Sequence, residues 1–250
     1  MLPDAAYVVV NLARRIRPGD VVFTGVNSAV PTAACLFAKR SYSYSFTHLN
    51  VAGGVNARPR VLPASSGDPT LLDGTGAIFN NEDFYDLCLR GGVDIAFLGA
   101  AQIDATGHVN VSVIGDWRSP KVRLPGGGGA ATMMPTARRS VVWLTTHTAR
   151  GLVETVDFAT AHGATTLITP LAVFERERDA RFGLVSHRSD LDPNEIRAAT
   201  GFSFDSSNAV QTPEVTPDEL RALETLDENG VLDRIFARRA AAASQPTPMN

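Results

Sequence analysis

Val93-Asp-Ile-Ala-Phe-Leu-Gly-Ala-Ala101 is the stretch that decides the fold. Apart from Asp94 it is a continuous apolar run, entered from Gly91-Gly92 and left through Gln102. A strand with one wet face alternates polar and apolar residues. A strand covered on both faces does not, and that is the condition of a parallel strand inside an α/β sheet. Gln102 and Asp104 follow at its end, where open α/β sheets place ligand contacts. Thr106-Gly107 leaves a second reading open, in which the two residues only shape a turn.

Working outward, the same alternation of strand and helix recurs. Val8, Val9, Leu12, Ala13 and Ile16 repeat at helical spacing and predict a helix over Ala5–Arg17, stopped by Pro18-Gly19-Asp20. Val21–Phe23 and Phe46–Val51 read as buried strands, with a helix over Pro31–Lys39 between them. Asn80 or Asn81 caps a helix through Leu89. Beyond the anchor run, Ser140–Thr145 is another strand, Val153–Ala161 is irregular or a short helix, and Thr165–Phe174 is a strand broken at Pro170. Asp192-Pro193 with Glu195, and Thr216-Pro217 with Glu219, are start signals for two more helices. The chain therefore reads as α/β with a largely parallel sheet. Residues 1–239 are expected to form one domain, and 240–250, rich in Ala, Ser, Pro and Gln, a disordered tail.

Two segments break the alternation. Asn56–Gly76 is rich in Pro, Gly and Ser, and a loop of that length inside a compact domain is commonly functional. Pro125-Gly-Gly-Gly-Gly-Ala-Ala131 lets the backbone turn sharply and present its N–H groups to an anion or a polarised carbonyl oxygen, though the glycines by themselves equally suit a flexible surface linker. Gly126-x-Gly128-x-x-Ala131 also satisfies the dinucleotide fingerprint in form. That fingerprint has meaning only between a strand and a helix. Lys121–Pro125 reads as a poor strand, and Pro135 stands where the helix would run. With no Lys-Ser/Thr after the glycines, a P-loop is excluded as well.

Composition narrows the classes further. Apolar residues are 44% and charged residues 20% of 250, with a net charge of −3. That balance suits one globular core and gives no basic face for nucleic acid. Cys35 and Cys88 form no C-x-x-C and read as small buried residues, with no disulfide framework and no zinc site expected. His48, His108, His147, His162 and His187 stand outside metal-ligand spacing of one another, so no metal is expected. There is no signal-peptide pattern and no stretch near the ~20 apolar residues of a membrane span. A cytoplasmic protein without membrane contact is the expectation.

Several stretches, in order, resemble one family. Phe97-Leu-Gly-Ala-Ala-Gln-Ile-Asp104 with Thr106-Gly-His-Val-Asn110, the glycine loop, Ala137-Arg-Arg139, Val153-Glu-x-Val-Asp-Phe158, Leu171-Ala-Val-Phe-Glu175 and Glu195-Ile-Arg-Ala-Ala-Thr-Gly201 are similar to family I CoA-transferase beta subunits of the glutaconate type. The resemblance implies an open α/β sheet of the CoA-transferase (NagB/RpiA-like) type, an alpha partner of similar fold, and an active site where the two subunits meet. It implies an acyl-CoA substrate, with CoA entering as part of that substrate and no separate cofactor.

The family's nucleophile is a beta-subunit glutamate in a stretch like "E-A-G-G". Here the stretch is Val51-Ala52-Gly53-Gly54, and Val51 takes the glutamate's place. A carboxylate oxygen can form an acyl-enzyme and an isopropyl group cannot. One branch fits this pattern. Its members hydrolyse a carbon–carbon bond in CoA thioesters derived from the last steroid rings, in cholesterol catabolism, with an alpha-subunit glutamate as base and an alpha2beta2 assembly. The resemblance then implies that no catalytic residue lies in this chain. Val51, Gly53, Gly54, Asn56 and Gln102 would line the substrate. The backbone of Gly126, Gly127, Gly128 and Gly129 would meet a thioester or enolate oxygen. Arg58, Arg60, Arg123, Arg138 and Arg139 are candidates for CoA phosphates. Ordinary CoA transfer through a displaced nucleophile, and a non-catalytic acyl-CoA-binding subunit, remain as alternatives.

Overall fold

A computed structural model describes residues 1–244. The first half contributes α1 (Pro3–Ala13), β1 (Val21–Thr24), α2 (Ala29–Ser41), β2 (Thr47–Asn50), β3 (Gly54–Val55), β4 (Ala77–Ile78), α3 (Asn81–Leu89) and β5 (Ile95–Gly99). A group of short strands comes next: β6 (Gln102–Asp104), β7 (His108–Asn110), β8 (Val113–Gly115) and β9 (Pro120–Arg123). Then come α4 (Ala130–Thr136), β10 (Arg139–Trp143), β11 (Leu152–Val153), β12 (Ala161–His162), β13 (Thr166–Ile168), β14 (Ala172–Glu175) and β15 (Gly183–His187). The C-terminal part holds α5 (Pro193–Ala199), β16 (Val210–Gln211), α6 (Pro217–Leu226) and α7 (Val231–Ser244).

The main sheet is α/β and largely parallel at its centre. Its strand order is β16-β15-β14-β13-β10-β5-β1-β2-β3-β4. The run β2-β1-β5-β10-β13 is parallel throughout, with antiparallel strands added at each flank. β5, the anchor run of the sequence, lies in the middle, paired to β1 and β10. Its period-2 alternation sorts the core. Ile95 and Phe97 join Val22, Val141 and Trp143 under α1, α2, α6 and α7. Ala96 joins Phe23 under α3 and α4. Strand order reverses between β1 and its two neighbours, and such a switch point opens a crevice at the carboxyl ends of the strands.

Helix starts obey their sequence signals. Asn80, Asp192 and Thr216 each close a capping box, which satisfies orphan N–H groups of the first turn. Pro170 lies between β13 and β14, so the broken strand expected over Thr165–Phe174 is an antiparallel hairpin. Both cysteines are buried and free.

Three expectations are corrected. The tail expected to start at Ala240 is helical through Ser244 as the end of α7; residues 245–250 lie outside the described residues. Gln102–Asp104 forms a strand in a second, four-stranded sheet of order β11-β6-β7-β12. The glycine loop does lie between a strand and a helix, β9 and α4. Pro135 is tolerated because α4 has only seven residues, so its missing N–H costs one bond. β9 belongs to a two-stranded ribbon with β8, apart from the parallel sheet, so the dinucleotide geometry is still not met. Among the described residues no helix is long and apolar enough to cross a membrane.

Candidate active site

The site grows from the corner after β2. The Val51 N–H donates to the Thr24 carbonyl at 3.0 Å, so the corner leaves the sheet beside the end of β1. Asn50, fully buried, organises the turn beyond it. Its Oδ1 accepts from the N–H groups of Ala52 at 3.0 Å and Gly54 at 3.3 Å, and its Nδ2 donates to the Leu71 carbonyl at 2.9 Å. Only glycine fits at positions 53 and 54. Gly53 has φ +95°, and a Cβ there would stand 2.7 Å from the Phe79 carbonyl oxygen. At Gly54 it would stand 2.4 Å from the Leu71 carbonyl oxygen. Val51 itself is half-buried and packs against the buried cluster that holds Phe84 and Met133, as Val55, Phe79 and Leu98 also do.

The glycine loop approaches α3. Phe79 and Phe84 lie 6.0 Å apart, and Phe84 and Tyr85 5.5 Å apart, ring to ring. A Cβ on Gly129 would come within 2.6 Å of the Tyr85 hydroxyl. The Phe79 N–H donates to the Gly53 carbonyl at 2.9 Å, just ahead of α3, and Tyr85 lies within α3, so the short stretch from Phe79 to Tyr85 meets both the corner and the loop. Met133, one turn into α4, packs in the same cluster as Val51.

The loop is pinned at its start and open at its end. Leu124 N–H donates to the Ser112 carbonyl at 2.9 Å and Gly126 N–H to the Val111 carbonyl at 2.8 Å. The expectation that Gly126 donates to a ligand is thereby corrected. Among the described residues the N–H groups of Gly127, Gly128 and Gly129 have no partner. Gly128 lies exposed, with φ +51° and open space around a would-be Cβ. Three successive unpaired N–H groups are donors of the kind that stabilise a developing oxyanion.

Gln102 and Asn56 are placed differently from their expected roles. Gln102 Oε1 accepts from Asn110 Nδ2 at 2.8 Å and from the Asp157 N–H at 3.1 Å. Asn110, wholly buried, also donates to the Val113 carbonyl and accepts from Ser112 and Val113 N–H groups. Asp104 Oδ1 accepts from the Thr106 N–H and hydroxyl at 2.9 and 2.8 Å, the turn-shaping role left open by the sequence. This cluster holds the Val111–Ser112 segment to which the glycine loop is tied. Asn56 has φ +58° and points its Oδ1 at the His48 N–H, 2.9 Å away, and at Lys39. Its oxygen is spent on closing the β2–β3 hairpin.

Four of the five candidate arginines are engaged. Arg60 pairs with Glu228 at 2.6 Å, Arg138 with Asp94 at 3.3 Å and Arg139 with Asp20 at 2.6 Å. Arg123 lies over the Trp117 ring, 4.6 Å from its centroid, and Trp117 stacks on Phe158 at 4.6 Å. Sequence reasoning does not single out this half-exposed Trp117, since a lone tryptophan in a turn carries no local signal. Arg58 alone among the five has no partner among the described residues.

The histidines carry no site. His48 donates or accepts at Thr24 Oγ1, 2.9 Å away, and burial together with the nearby Lys39 charge pushes its pKa down to about 3. His147 stands between the Thr169 and Thr200 hydroxyls, and burial pushes its pKa down to about 4. Among the described residues no group of three His, Cys, Asp or Glu is placed to hold a metal.

Comparison with known proteins gives the family. A family model described as Coenzyme A transferase matches residues 6–175. One of the subunits of a 3-oxoadipate CoA-transferase from Pseudomonas knackmussii is 31% identical, with 95% of both chains covered. The crystal structure of the decarboxylase AibA/AibB superposes with a TM-score of 0.85 at 32% identity, covering 92% of this chain and 97% of that one. Rhodococcus jostii RHA1 IpdAB superposes with a TM-score of 0.77 at 20% identity, covering 92% and 97%, a likeness of fold. The chain belongs to the Coenzyme A transferase family.

Proposed function

We propose that this chain is the beta subunit of a two-subunit enzyme that breaks a carbon–carbon bond in an acyl-CoA thioester without a covalent enzyme–CoA intermediate. The observation that carries the reading is the β2 corner. Its backbone frame is built around Asn50, Gly53 and Gly54, yet the reactive position holds the half-buried Val51. With no nucleophile there, the chemistry left to this half of the site is stabilisation of negative charge. The N–H groups of Gly127, Gly128 and Gly129 suit an enolate oxygen, at ~3 kcal/mol per preorganised donor.

In the hydrolytic form, a glutamate of the alpha subunit removes a proton from water, and the resulting hydroxide attacks a ring carbonyl. The tetrahedral adduct collapses to a carboxylate as the carbon–carbon bond breaks. That bond's electron pair becomes the enolate of the remaining carbonyl group, which then takes a proton. A hydrocarbon acyl group, such as the remnant of a steroid ring, suits the apolar wall of Val51 and Phe79. CoA enters as part of the substrate.

A second reading is favoured by the 32% identity to a chain of AibA/AibB, a decarboxylase. Loss of carbon dioxide likewise leaves an electron pair on the carbon next to a carbonyl group, and so uses the same three donors.

The test is turnover of candidate acyl-CoA thioesters by the assembled alpha–beta pair in water enriched in oxygen-18. Label in a new carboxylate supports hydrolysis, and released carbon dioxide supports decarboxylation. Transfer of CoA to an added carboxylic acid, with an adduct trapped by borohydride on this chain, overturns both.

A further inference from the structure

The site above lies at the carboxyl ends of the strands. At the opposite end of β2 the chain forms an open pocket of about 430 Å³, lined among others by Leu36, Lys39, Arg40, Phe46, Asn56 and Arg58. This is the size of a small-molecule site, which runs ~300–1,000 Å³. Three cations face it. None of Lys39, Arg40 or Arg58 has a carboxylate within ion-pairing distance among the described residues. In another cavity, of about 410 Å³, Arg14 pairs with Glu219, Arg15 with Glu175 and Arg139 with Asp20, while Arg17 and Arg176 line it without an ion pair among the described residues.

Each cation is held differently. Lys39 is half-buried, donates to Asn56 Oδ1 and lies over the Phe46 ring, 4.8 Å from its centroid. Burial, and then the charge of Arg58, push its pKa down, so the ammonium is under repulsion that a nearby anion would relieve. Arg40 is clamped by the carbonyl oxygens of Pro59 and Arg60, which fix its direction and leave its charge uncompensated. Arg58 is exposed and has no partner among the described residues. Leu36, Phe46 and Ala57 supply an apolar wall. A fixed lysine beside a free guanidinium fork is the donor set that holds phosphate oxygens.

We propose that this cavity binds a phosphate-bearing small molecule, its phosphate between Lys39 and Arg58 and its apolar part on Phe46 and Leu36. The phosphate has two sources, the phosphoadenosine end of CoA or a separate phosphate. The assignment does not depend on which bond the enzyme breaks, because binding is read without turnover.

Calorimetry on the full chain tests it, with adenosine 3′,5′-bisphosphate, orthophosphate and adenosine as probes. The expected result is binding of a phosphate-bearing probe and none of adenosine, weakened at least about tenfold by Arg58→Gln, or 1.4 kcal/mol, and abolished by Arg58→Glu. Because Arg58 is exposed and unpaired, both variants should melt as the parent does. Tighter binding of the bisphosphate assigns the site to the CoA end; equal binding of orthophosphate assigns it to a separate phosphate. Absence of binding by both phosphate probes at millimolar concentration, or binding indifferent to Arg58→Glu, overturns the proposal.

Discussion

The Val51 N–H lies 3.0 Å from the Thr24 carbonyl oxygen, so the residue that the proposed function sets where related subunits carry a glutamate is tied to the strand end beside the switch point. The frame that would aim a carboxylate is present and the carboxylate is absent. Val51→Glu therefore restores a group in a prepared place. Its expected effects are loss of the proposed carbon–carbon cleavage and a CoA adduct on this chain that borohydride traps. A variant that keeps the parent activity and forms no adduct would show that position 51 stands away from the substrate.

Asn50 holds the corner with three hydrogen bonds, all to backbone groups. Asn50→Ala leaves the Leu71 carbonyl and two N–H groups unpaired in a buried place. The expected cost is about 2–3 kcal/mol, read by urea unfolding, with activity falling further than stability because the corner moves.

Gly54→Ala and Gly126→Ala separate two uses of glycine. At Gly54 the new Cβ meets the Leu71 carbonyl oxygen at 2.4 Å, and backbone has to shift. At Gly126 it meets nothing within 4 Å, and only the positive φ of +94° opposes it. Gly54→Ala should lower the melting temperature markedly, and Gly126→Ala should cost about 1 kcal/mol. Gly128→Val, at φ +51° in open space, should redirect the neighbouring N–H groups. A rate loss of about 10²-fold with ground-state CoA-thioester affinity nearly unchanged is the expected signature, measured as separate kcat and Kd.

Stability should fall on mild acidification. His48 and His147 are held neutral in the fold, at about 3 and about 4, against an ordinary value near ~6.5 in the unfolded chain. Below pH ~6.5 the unfolded chain takes up protons that the native state refuses, so the equilibrium moves toward unfolding. The contribution is complete above that pH and is lost as pH falls to the folded values, at roughly 1.4 kcal/mol per pH unit for each histidine. His147→Gln should flatten the dependence of melting temperature on pH between neutrality and the folded values. An unchanged slope would count against a neutral buried imidazole at 147.

The sheet centre is legible in the sequence because its causes are local. The apolar run at Val93–Ala101 and the capping boxes at Asn80, Asp192 and Thr216 each act within a few residues. Gln102 misleads because its amide oxygen is engaged by Asn110, its partner across the β6–β7 hairpin, and by the Asp157 N–H, which is distant in sequence. No periodicity announces such a cluster. The strand β15 escapes notice for a similar reason, since its pairing with β14 depends on a hairpin partner and a bulge between Val173 and Phe174. The glycine loop is recognisable, but which N–H groups stay free is set by Val111 and Ser112, and that needs coordinates.

Whole-protein mass spectrometry of the assembled enzyme, quenched during turnover of its acyl-CoA substrate, reads whether this chain is acylated. Without a nucleophile here, its mass stays unchanged while product accumulates. A gain equal to CoA, mapped to any carboxylate of this chain, would contradict the proposed function.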